Sequence, residues 1–282
     1  MKFVSFRSGD LTTYGVMLDG VIYPVSRDFR ARCPDLRTAI EANAIAEAFA
    51  AAVSGQGLKP GQIQFEPVIP NPGKIFAVGM NYRAHIEEMG RTPPEYPALF
   101  TRFPDSLVGH RRSVIRPRVS EQFDYEGEFA VIIGRTARHV GAGAALDYVA
   151  GYSCFLDGSV RDYQRHTTQF IAGKNFRHSG AFGPWLVTAD EIPDPRQLNL
   201  ETRINGVVMQ QGNIGDLCIG IGEVIQYLSA ICQLDPGDVI ATGTPSGIGE
   251  ARDPQCWLKP GDRIEVEIDQ IGCLENSVAD EV

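Results

Sequence analysis

The chain has 282 residues, of which 43% are hydrophobic and 22% are charged, and its formal net charge is −9. This composition is typical of a globular protein with a sizeable core and excludes an intrinsically disordered chain. The acidic balance argues against nucleic acid and anionic membranes as main partners. It leaves room for a small anionic substrate, whose binding depends on local cations.

The six cysteines predict neither a disulfide framework nor a zinc site. None stands in C-x-x-C spacing and most lie among apolar residues, so buried thiols are expected. The opening Met1–Ser5 has the pattern of a strand rather than of a signal peptide, and no apolar run approaches the ~20 residues of a membrane span. We therefore expect a cytoplasmic protein with no membrane attachment.

Residues 1–68 predict a small N-terminal α/β domain. Asp19-Gly20 is a hairpin signal, and Asp35 can cap a helix from Leu36 to about Val53. Glycine and proline are frequent over residues 55–73, which predicts a linker. A larger domain is expected over residues 69–282. The strands predicted in the first segment are Lys2–Arg7, Thr13–Leu18 and Val21–Val25.

A histidine and a glutamate share one face of the next predicted helix. The strand Lys74–Val78 leads into a short helix that ends at Gly90, and Thr92-Pro93-Pro94 cannot continue it. His85 and Glu88 stand at i and i+3, so their side chains are neighbours on the helix. The segment continues with a predicted strand, Leu99–Arg102, and a basic loop, Gly109–Arg112.

Two glutamates stand at the start of a very apolar strand. The run Phe129–Ile133 is short, rich in β-branched residues and closed by Gly134, as in a buried strand. Glu126 and Glu128 are two residues apart, so on a strand they point to the same face, roughly 6.6–7 Å apart. Like charges this close at the edge of a core are unfavourable unless a proton or a cation lies between them. A solvated strand end is the alternative.

A third carboxylate, Asp157, follows the next predicted strand, Tyr148–Phe155. The residues after it predict a helical turn with Arg161 and Gln164 on one face. Lys174 then stands as a single lysine in an otherwise neutral stretch.

The three carboxylates Glu126, Glu128 and Asp157 indicate a metal site. Oxygen ligands favour a hard divalent ion such as Mg²⁺, Mn²⁺ or Ca²⁺ over zinc, and three of them leave about three positions of an octahedral shell free. A 2-oxo acid could fill two of these positions through its carboxylate and keto oxygens. The ion would then act as a Lewis acid on any enolate that forms.

The remaining chain predicts strands joined by tight turns and one amphipathic helix. Asn205-Gly206 is a strong hairpin signal, and Gly222–Gln233 carries apolar residues at helical spacing. The turns Asp235–Asp238 and Lys259–Asp262 each precede a strand. Because strands outnumber helices, we predict an α+β fold that is mainly β, and not a doubly wound α/β fold.

Several ordered motifs, each weak alone, are strong together. They are Val78-Gly79-Met80-Asn81-Tyr82, Asp124-Tyr125-Glu126-Gly127-Glu128, Ala150-Gly151-Tyr152, Asp157-Gly158-Ser159-Val160-Arg161-Asp162, Gly173-Lys174-Asn175-Phe176, Gly183-Pro184-Trp185-Leu186, and Pro236-Gly237-Asp238 followed by Thr242-Gly243-Thr244-Pro245.

With these motifs the chain resembles the fumarylacetoacetate hydrolase family over about residues 72–279. The resemblance implies a mixed β-sandwich roll, often dimeric, with one Mg²⁺ or Mn²⁺. The N-terminal segment looks like the small α/β module of some members. Members cleave, decarboxylate or hydrate 2-oxo acids and β-diketo acids from the breakdown of aromatic compounds and sugar acids.

The resemblance also implies the metal ligands and a base. Glu126, Glu128 and Asp157 are expected to bind Mg²⁺ or Mn²⁺, with Ca²⁺ as a substitute. His85 is expected to deprotonate a water, oriented and charged by Glu88. An exposed helical His–Glu pair is the alternative. The proline-rich exit of this helix suggests a lid over the substrate.

Four further residues match family positions. Lys174 would neutralise a bound oxyanion, and Thr244 would hold the substrate carboxylate through its hydroxyl or its N–H. Arg161 and Gln164 would meet the substrate or support the site. The alternatives are a surface lysine, a plain turn threonine and an internal salt bridge for Arg161. The other histidines are expected to be structural or on the surface: His110, His139, His166 and His178.

The sequence departs from the common family pattern at three places. Phe103 stands where many relatives carry a lysine, and Arg102 is a candidate replacement for that cation. His110-Arg111-Arg112 makes the next loop unusually basic, and Asn213–Asp216 differs from the usual polar motif. We expect these differences to lie near substrate contacts and to bear on which substrate is used.

These observations predict a metal-dependent hydrolase that cleaves a C–C bond of an acylpyruvate-like β-diketo acid, so the expected partner is a small 2-oxo acid. An oxaloacetate-type decarboxylase or a 2-oxo acid hydratase on the same metal site is the alternative. From a different class, a non-catalytic member could keep the fold as an oligomeric binding module. The resemblance also implies a homodimer.

Overall fold

An 11-stranded sheet carries a five-stranded sheet on one face and the N-terminal helices on the other. The computed structural model describes residues 1–282. The strands are β1 Lys2–Ser8, β2 Leu11–Leu18, β3 Val21–Pro24, β4 Gln64–Phe65, β5 Ile75–Gly79, β6 Ala98–Thr101, β7 Leu107–Val108, β8 Ser113–Arg116, β9 Phe123–Asp124, β10 Gly127–Ile133, β11 Val149–Leu156, β12 Ser159–Val160, β13 Gly180–Thr188, β14 Asn199–Ile204, β15 Val207–Asn213, β16 Val239–Ala241, β17 Arg263–Ile268 and β18 Gly272–Asp280.

The α-helices are short, and the longest has 11 residues. They are α1 Arg27–Arg32, α2 Leu36–Glu41, α3 Ile45–Val53, α4 Arg83–Glu88, α5 Arg161–Gln164, α6 Ile171–Lys174 and α7 Ile221–Ile231. None of them combines the length and the apolar character that a membrane crossing requires.

The strand order confirms an α+β fold that is mainly β. The large sheet runs β3-β2-β1-β13-β11-β10-β16-β5-β6, with β4 on β1 and β7 on β13. The second sheet runs β15-β14-β17-β18-β8, and most of its neighbours are antiparallel. Both predicted hairpins form, since Leu18 pairs with Val21 and Ile204 pairs with Val207.

Strand β10 is buried on both faces, which explains why the run Phe129–Ile133 is apolar throughout. Phe129 and Val131 belong to a core of 36 buried residues shared with the five-stranded sheet. Ala130 and Ile132 belong to a core of 25 buried residues shared with the N-terminal helices. Successive side chains on a strand point to opposite faces, so a strand covered on both faces needs apolar residues at every position.

The predicted helix from Leu36 to Val53 is wrong in its length. The structure has two helices, α2 and α3, separated at Asn43, whose φ is 51°. Left-handed backbone ends a helix, and asparagine adopts it more readily than most residues. The predicted cap is confirmed, because the Asp35 carboxylate accepts from the Thr38 N–H at 2.8 Å. Helix α1 was not predicted.

Residues 55–73 form more than a linker. Strand β4 lies within them and pairs with β1, with Phe6 opposite Phe65. Strand β1 in turn pairs with β13, so the N-terminal segment extends the large sheet. The division into domains at residues 68 and 69 stays a prediction.

All six cysteines are free thiols. Cys33 and Cys154 are buried, and the other four are partly buried. The expectation of buried thiols is confirmed for Cys33 and Cys154, while the other four thiols are only partly buried.

Candidate active site

Three carboxylates converge where β10 begins and β11 ends. Glu126 precedes β10, Glu128 is its second residue, and Asp157 directly follows β11. The Asp157 N–H donates to the Glu126 carbonyl at 2.8 Å, which fixes the two backbones together. One oxygen from each of the three side chains lies within 4.8 Å of the others. All three residues are buried, so the solvated strand end is wrong.

Two cations neutralise Glu126. Lys174 Nζ donates to Glu126 Oε2 at 2.5 Å, and Arg161 Nη2 donates to Oε1 at 2.7 Å. Burial alone would raise the pKa of Glu126, but the Lys174 ammonium and the Arg161 guanidinium hold this pKa below its ordinary value. Glu126 is therefore ionised and can serve as an oxygen ligand.

Asp157 lies between two other donors. Lys174 Nζ also donates to Asp157 Oδ2 at 2.6 Å, while Arg102 Nη1 donates to Oδ1 at 2.5 Å. Glu128 differs, because its one hydrogen bond comes from the Gly243 N–H at 2.9 Å. Burial, with the nearby charges of Asp157 and Glu126, raises the pKa of Glu128 well above its ordinary value. A divalent cation would remove this unfavourable crowding of negative charge.

A cavity of about 630 Å³ opens beside the carboxylates. Glu126, Glu128 and Lys174 line it, whereas Asp157 lies behind them. The candidate residues His85, Arg161, Gln164 and Thr244 line the same cavity. Its apolar wall comes from Val78, Met80, Met89, Leu99, Phe100, Phe170 and Ile248.

His85 and Glu88 form the predicted pair on α4. His85 Nδ1 lies 3.3 Å from Glu88 Oε2, and His85 is buried rather than exposed. A carboxylate beside Nδ1 favours the tautomer protonated at Nδ1, which leaves the lone pair on Nε2. Glu88 Oε1 accepts from the Gly247 N–H at 2.9 Å, which fixes the other side of the carboxylate.

Gly247 is needed in this contact. Its φ is +102°, and a Cβ there would lie 2.0 Å from the Met209 carbonyl oxygen. Only glycine fits this backbone. The sequence shows nothing that would connect Gly247 to Glu88, because the two residues are far apart in the chain.

Arg161 makes internal ion pairs. Besides Glu126, its Nε donates to Asp124 Oδ2 at 2.8 Å, and its Nη1 donates to Gln164 Oε1 at 2.9 Å. Glu250 lies 3.3 Å from the same Nε. The internal salt bridge considered as an alternative for Arg161 is therefore present, and Arg161 also lines the cavity.

Thr244 presents its N–H rather than its hydroxyl. The hydroxyl donates to the Gly127 carbonyl at 2.9 Å and accepts from Gln210 Nε2 at 2.7 Å. No backbone acceptor in the chain pairs with the Thr244 N–H. Of the two groups considered from the sequence, the N–H is therefore the one available to a carboxylate.

Asp124 is a residue of the site that was not predicted from the sequence to have a role. It is fully buried and accepts from the N–H groups of Gly249 and Glu250 at 2.7 and 3.0 Å. It thereby holds the loop that carries the cavity residues Ile248 and Glu250. Asp124 belongs to the same pentad as the two glutamates, so an acidic residue beside a metal motif was the available signal.

Two loops that were expected near substrate contacts lie outside the candidate cavity. His110 is buried against Phe65, with ring centroids 4.8 Å apart, and neither it nor Arg111 and Arg112 lines the cavity. Residues 213–216 also lie outside the cavity. His139, His166 and His178 do not line it either. Phe103 is half exposed, and the adjacent Arg102 is the residue that turns inward.

Comparison with known proteins defines the class. A family model described as fumarylacetoacetate (FAA) hydrolase C-terminal matches residues 74–279. The oxaloacetate tautomerase YisK of Bacillus subtilis is 40% identical over 221 residues, which cover 77% of this chain and 73% of YisK. The chain therefore belongs to the fumarylacetoacetate hydrolase family.

Two solved structures share the fold over the full length of both chains. The fumarylacetoacetate hydrolase EaFAH of Exiguobacterium antarcticum has a TM-score of 0.87 and 33% identity. The maleylpyruvate hydrolase of Sphingobium sp. SYK-6, solved with manganese(II) and pyruvate, has a TM-score of 0.82 and 29% identity. The buried carboxylate cluster of the present chain fits a divalent cation in its donor chemistry.

Proposed function

We propose that the protein is a Mg²⁺- or Mn²⁺-dependent hydrolase that cleaves a C–C bond of an acylpyruvate-like β-diketo acid. The observation that carries this proposal is the shared cavity, which is lined both by His85, the partner of Glu88, and by Glu126 and Glu128 of the carboxylate cluster. Glu126, Glu128 and Asp157 would hold the ion. When bound, it supplies Lewis-acid stabilisation of negative charge on the 2-oxo oxygen.

The charges of the site suit an anionic substrate. Five buried or partly buried carboxylates, Asp124, Glu126, Glu128, Asp157 and Glu250, stand beside four cations, Arg102, Arg161, Arg165 and Lys174. With all five carboxylates ionised and a divalent cation bound, the sum of these charges is one positive. We assign the Thr244 N–H and the Gln164 amide as the donors to the carboxylate of the 2-oxo acid, because both residues line the cavity.

The chain's own residues supply the proton transfers. His85 Nε2 takes a proton from water, and the resulting hydroxide adds to the distal carbonyl carbon. The C–C bond then breaks, its electron pair passes to the pyruvyl half, and the proton returns to C3 of that half. The products are a carboxylic acid and pyruvate. Lys174 offsets the negative charge that develops on the pyruvyl oxygens.

The cavity volume favours a substrate with an acyl tail. About 630 Å³ exceeds the space that a four-carbon acid fills, and apolar side chains form part of the cavity lining. A second candidate is tautomerisation or decarboxylation of an oxaloacetate-type acid, and the 40% identity to the oxaloacetate tautomerase YisK supports the tautomerisation. These reactions need the same charge stabilisation but no water attack.

A substrate panel tests the proposal. Acylpyruvates of increasing tail length and oxaloacetate are assayed with Mn²⁺ or Mg²⁺ and again with chelator. We expect hydrolysis of acylpyruvates that chelator abolishes, and a loss of about 10²–10⁴-fold in kcat for His85→Ala. The kcat of Glu88→Gln should fall as well. Glu87→Gln on the same helix is the matched control and should keep full activity.

Two outcomes decide between the candidates. Acylpyruvate hydrolysis at the wild-type rate in His85→Ala would contradict the assigned base. Turnover of oxaloacetate alone, with no acylpyruvate hydrolysed, would replace the first candidate by the second. Absence of turnover of every 2-oxo acid with metal present would favour a non-catalytic binding module.

A further inference from the structure

Arg102 lies directly after β6, with its side chain fully buried behind the carboxylate cluster. It does not line the cavity, so it has no route to the substrate. Its contact with the cluster is to Asp157, the ligand that also lies behind the cavity wall. Arg102 can therefore orient the cluster only through its contact with Asp157.

All three guanidinium nitrogens of Arg102 have partners. Nη1 donates to Asp157 Oδ1 at 2.5 Å and to the Gly158 carbonyl at 3.2 Å. Nε donates to Ser106 Oγ at 3.1 Å. Nη2 donates to Ser179 Oγ at 2.8 Å and to the Ser106 carbonyl at 3.5 Å. The guanidinium is planar, so these contacts fix its orientation and with it the direction from which Asp157 is held.

The backbone leaves room for this group at Gly180. A Cβ on Gly180 would lie 2.9 Å from both Cζ and Nη1 of Arg102 and 2.6 Å from the Leu156 carbonyl oxygen. Real Cβ atoms do not approach this closely. The start of β13 and the guanidinium are thus fitted to each other.

Lys174 and Arg102 hold opposite oxygens of Asp157 but face different surroundings. Lys174 lines the cavity, where a substrate can compete for its ammonium. Arg102 is enclosed by protein and does not line the cavity. Of the two contacts to the Asp157 carboxylate, the one from Arg102 is therefore the one for which a bound anion does not compete.

We propose that Arg102 is a positioning residue that holds the Asp157 carboxylate in the orientation required to bind the divalent ion. This inference rests on the metal-binding part of the proposed function and not on which reaction is catalysed. A salt bridge that only joins β6 to the loop after β11 would affect stability but not metal affinity in the folded protein.

Charge and geometry predict opposite effects on metal affinity. Removing a cation near the cluster would by itself strengthen the attraction for a divalent ion. Removing the contact that orients a ligand weakens metal binding by roughly 10–100-fold in comparable sites. A positioning role therefore predicts weaker binding even though a positive charge is lost.

Isothermal titration with Mn²⁺ alone tests the proposal in the wild type, Arg102→Met and Arg102→Lys. We expect Kd to rise roughly 10–100-fold in Arg102→Met. It should also rise in Arg102→Lys, which keeps the charge but not the planar fork. Arg203→Met is the matched control, since Arg203 pairs with Glu201, Glu265 and Glu267 on the other sheet. Its Kd should equal that of the wild type.

A second variant covers failure of both Arg102 substitutions to fold. Ser179→Ala removes one acceptor of the guanidinium and leaves every charge in place, and it should also raise Kd. A folded Arg102→Met that binds Mn²⁺ as tightly as the wild type, or more tightly, overturns the proposal. If Arg102→Met does not fold, an unchanged Kd in Ser179→Ala overturns it.

This titration contains no substrate, so a failure to detect acylpyruvate turnover would leave its result unaffected. Absence of Mn²⁺ binding in the wild type would instead overturn the metal-binding part of the proposed function and this inference with it.

Discussion

Glu128 is the one member of the carboxylate cluster without a cationic partner. Glu126 contacts Lys174 and Arg161, and Asp157 contacts Arg102 and Lys174, but Glu128 accepts only the Gly243 N–H. Its raised pKa follows from burial and from the two neighbouring carboxylates. In the metal-free site, the repulsion among the three carboxylates is therefore least compensated at Glu128.

Glu128→Gln should separate stability from metal binding. In the metal-free wild type the folded state holds the Glu128 proton more tightly than the unfolded chain does. Its contribution to stability is therefore full below the ordinary pKa of 4.5 and is lost as pH rises through the folded-state pKa. The glutamine of the variant does not titrate, so the Tm of the variant minus that of the wild type should grow with pH when both are measured in chelator.

The affinity of the Glu128→Gln variant for Mn²⁺ should fall, although its stability relative to the wild type rises with pH. Loss of a direct carboxylate ligand should weaken Mn²⁺ binding by more than the roughly 100-fold typical of a supporting residue. Calorimetry measures this affinity, with Glu267→Gln on the far sheet as control. A Tm difference that does not vary with pH, or an unchanged Kd, would contradict the assignment of Glu128.

The residues that the sequence identified belong to local motifs. Glu126 and Glu128 are two apart, and His85 and Glu88 are three apart, so strand and helix geometry bring each pair together without further information. Arg102 and Gly247 act through contacts with residues remote in the chain. A local sequence pattern does not reveal contacts between remote residues, so the roles of Arg102 and Gly247 could be recognised only in the folded structure.

At the scale of elements, the loop between β7 and β8 ties two parts of the fold together. His110 Nδ1 accepts from the Glu275 N–H of β18 at 3.1 Å, and the ring packs edge-on against Phe65 of β4. Its basic sequence suggested a substrate contact, because charge is visible in a sequence and burial is not. The loop is instead a structural joint, in which histidine serves as an acceptor.

The stability of this joint should depend on pH. Burial, and then the nearby Arg111 charge, lower the pKa of His110 from 6.5 to about 4. The unfolded chain binds the proton more readily, so stability is full above pH 6.5 and falls as pH decreases toward 4. The loss amounts to at most roughly 3.5 kcal/mol, at about 1.4 kcal/mol per pKa unit.

Urea unfolding of the wild type and His110→Asn in chelator measures this effect between about pH 4 and 7. Asparagine keeps an acceptor near Nδ1 and does not titrate. We expect the free energy of unfolding of the wild type, minus that of the variant, to decrease on acidification. A difference that stays constant across this range would mean that His110 is not held neutral by the fold.

Predicted elements failed where backbone conformation rather than composition ended them. Helices α2 and α3 were predicted as one because apolar and alanine residues continue through the break. The break comes from the left-handed conformation of Asn43, a choice that the tertiary fold imposes. Strand β4 was missed because two residues between glycine- and proline-rich turns carry no periodicity.

At the scale of the whole molecule, the N-terminal segment shares one core with the strands of the large sheet that lead to the carboxylate cluster. Lys2 and Phe3 pair with Val187 and Leu186 of β13. Phe3 and Leu36 lie in the same 25-residue buried cluster as Phe155 and Phe182. The β-rich architecture was predicted correctly, but β1 and β13 lie at distant points of the chain, and such a pairing has no local signature.

A fragment of residues 69–282 tests this dependence. Removing the N-terminal segment would expose one face of the large sheet and one edge of β13, and exposed edges and apolar faces promote aggregation. We expect the fragment to aggregate or to lose near-ultraviolet circular dichroism, with the full chain as control. A monomeric fragment with a sharp thermal transition would show that the larger part folds on its own.

The central claim of this account is that Glu126, Glu128 and Asp157 bind one divalent cation beside His85. A crystal of the full chain grown with Mn²⁺ tests it most directly, through the anomalous scattering of manganese. The account predicts one strong anomalous peak per chain among the three carboxylates, bonded to an oxygen of each, and no such peak in Asp157→Asn. A map without a peak at the cluster, or with the three side chains turned away from a peak elsewhere, would contradict it.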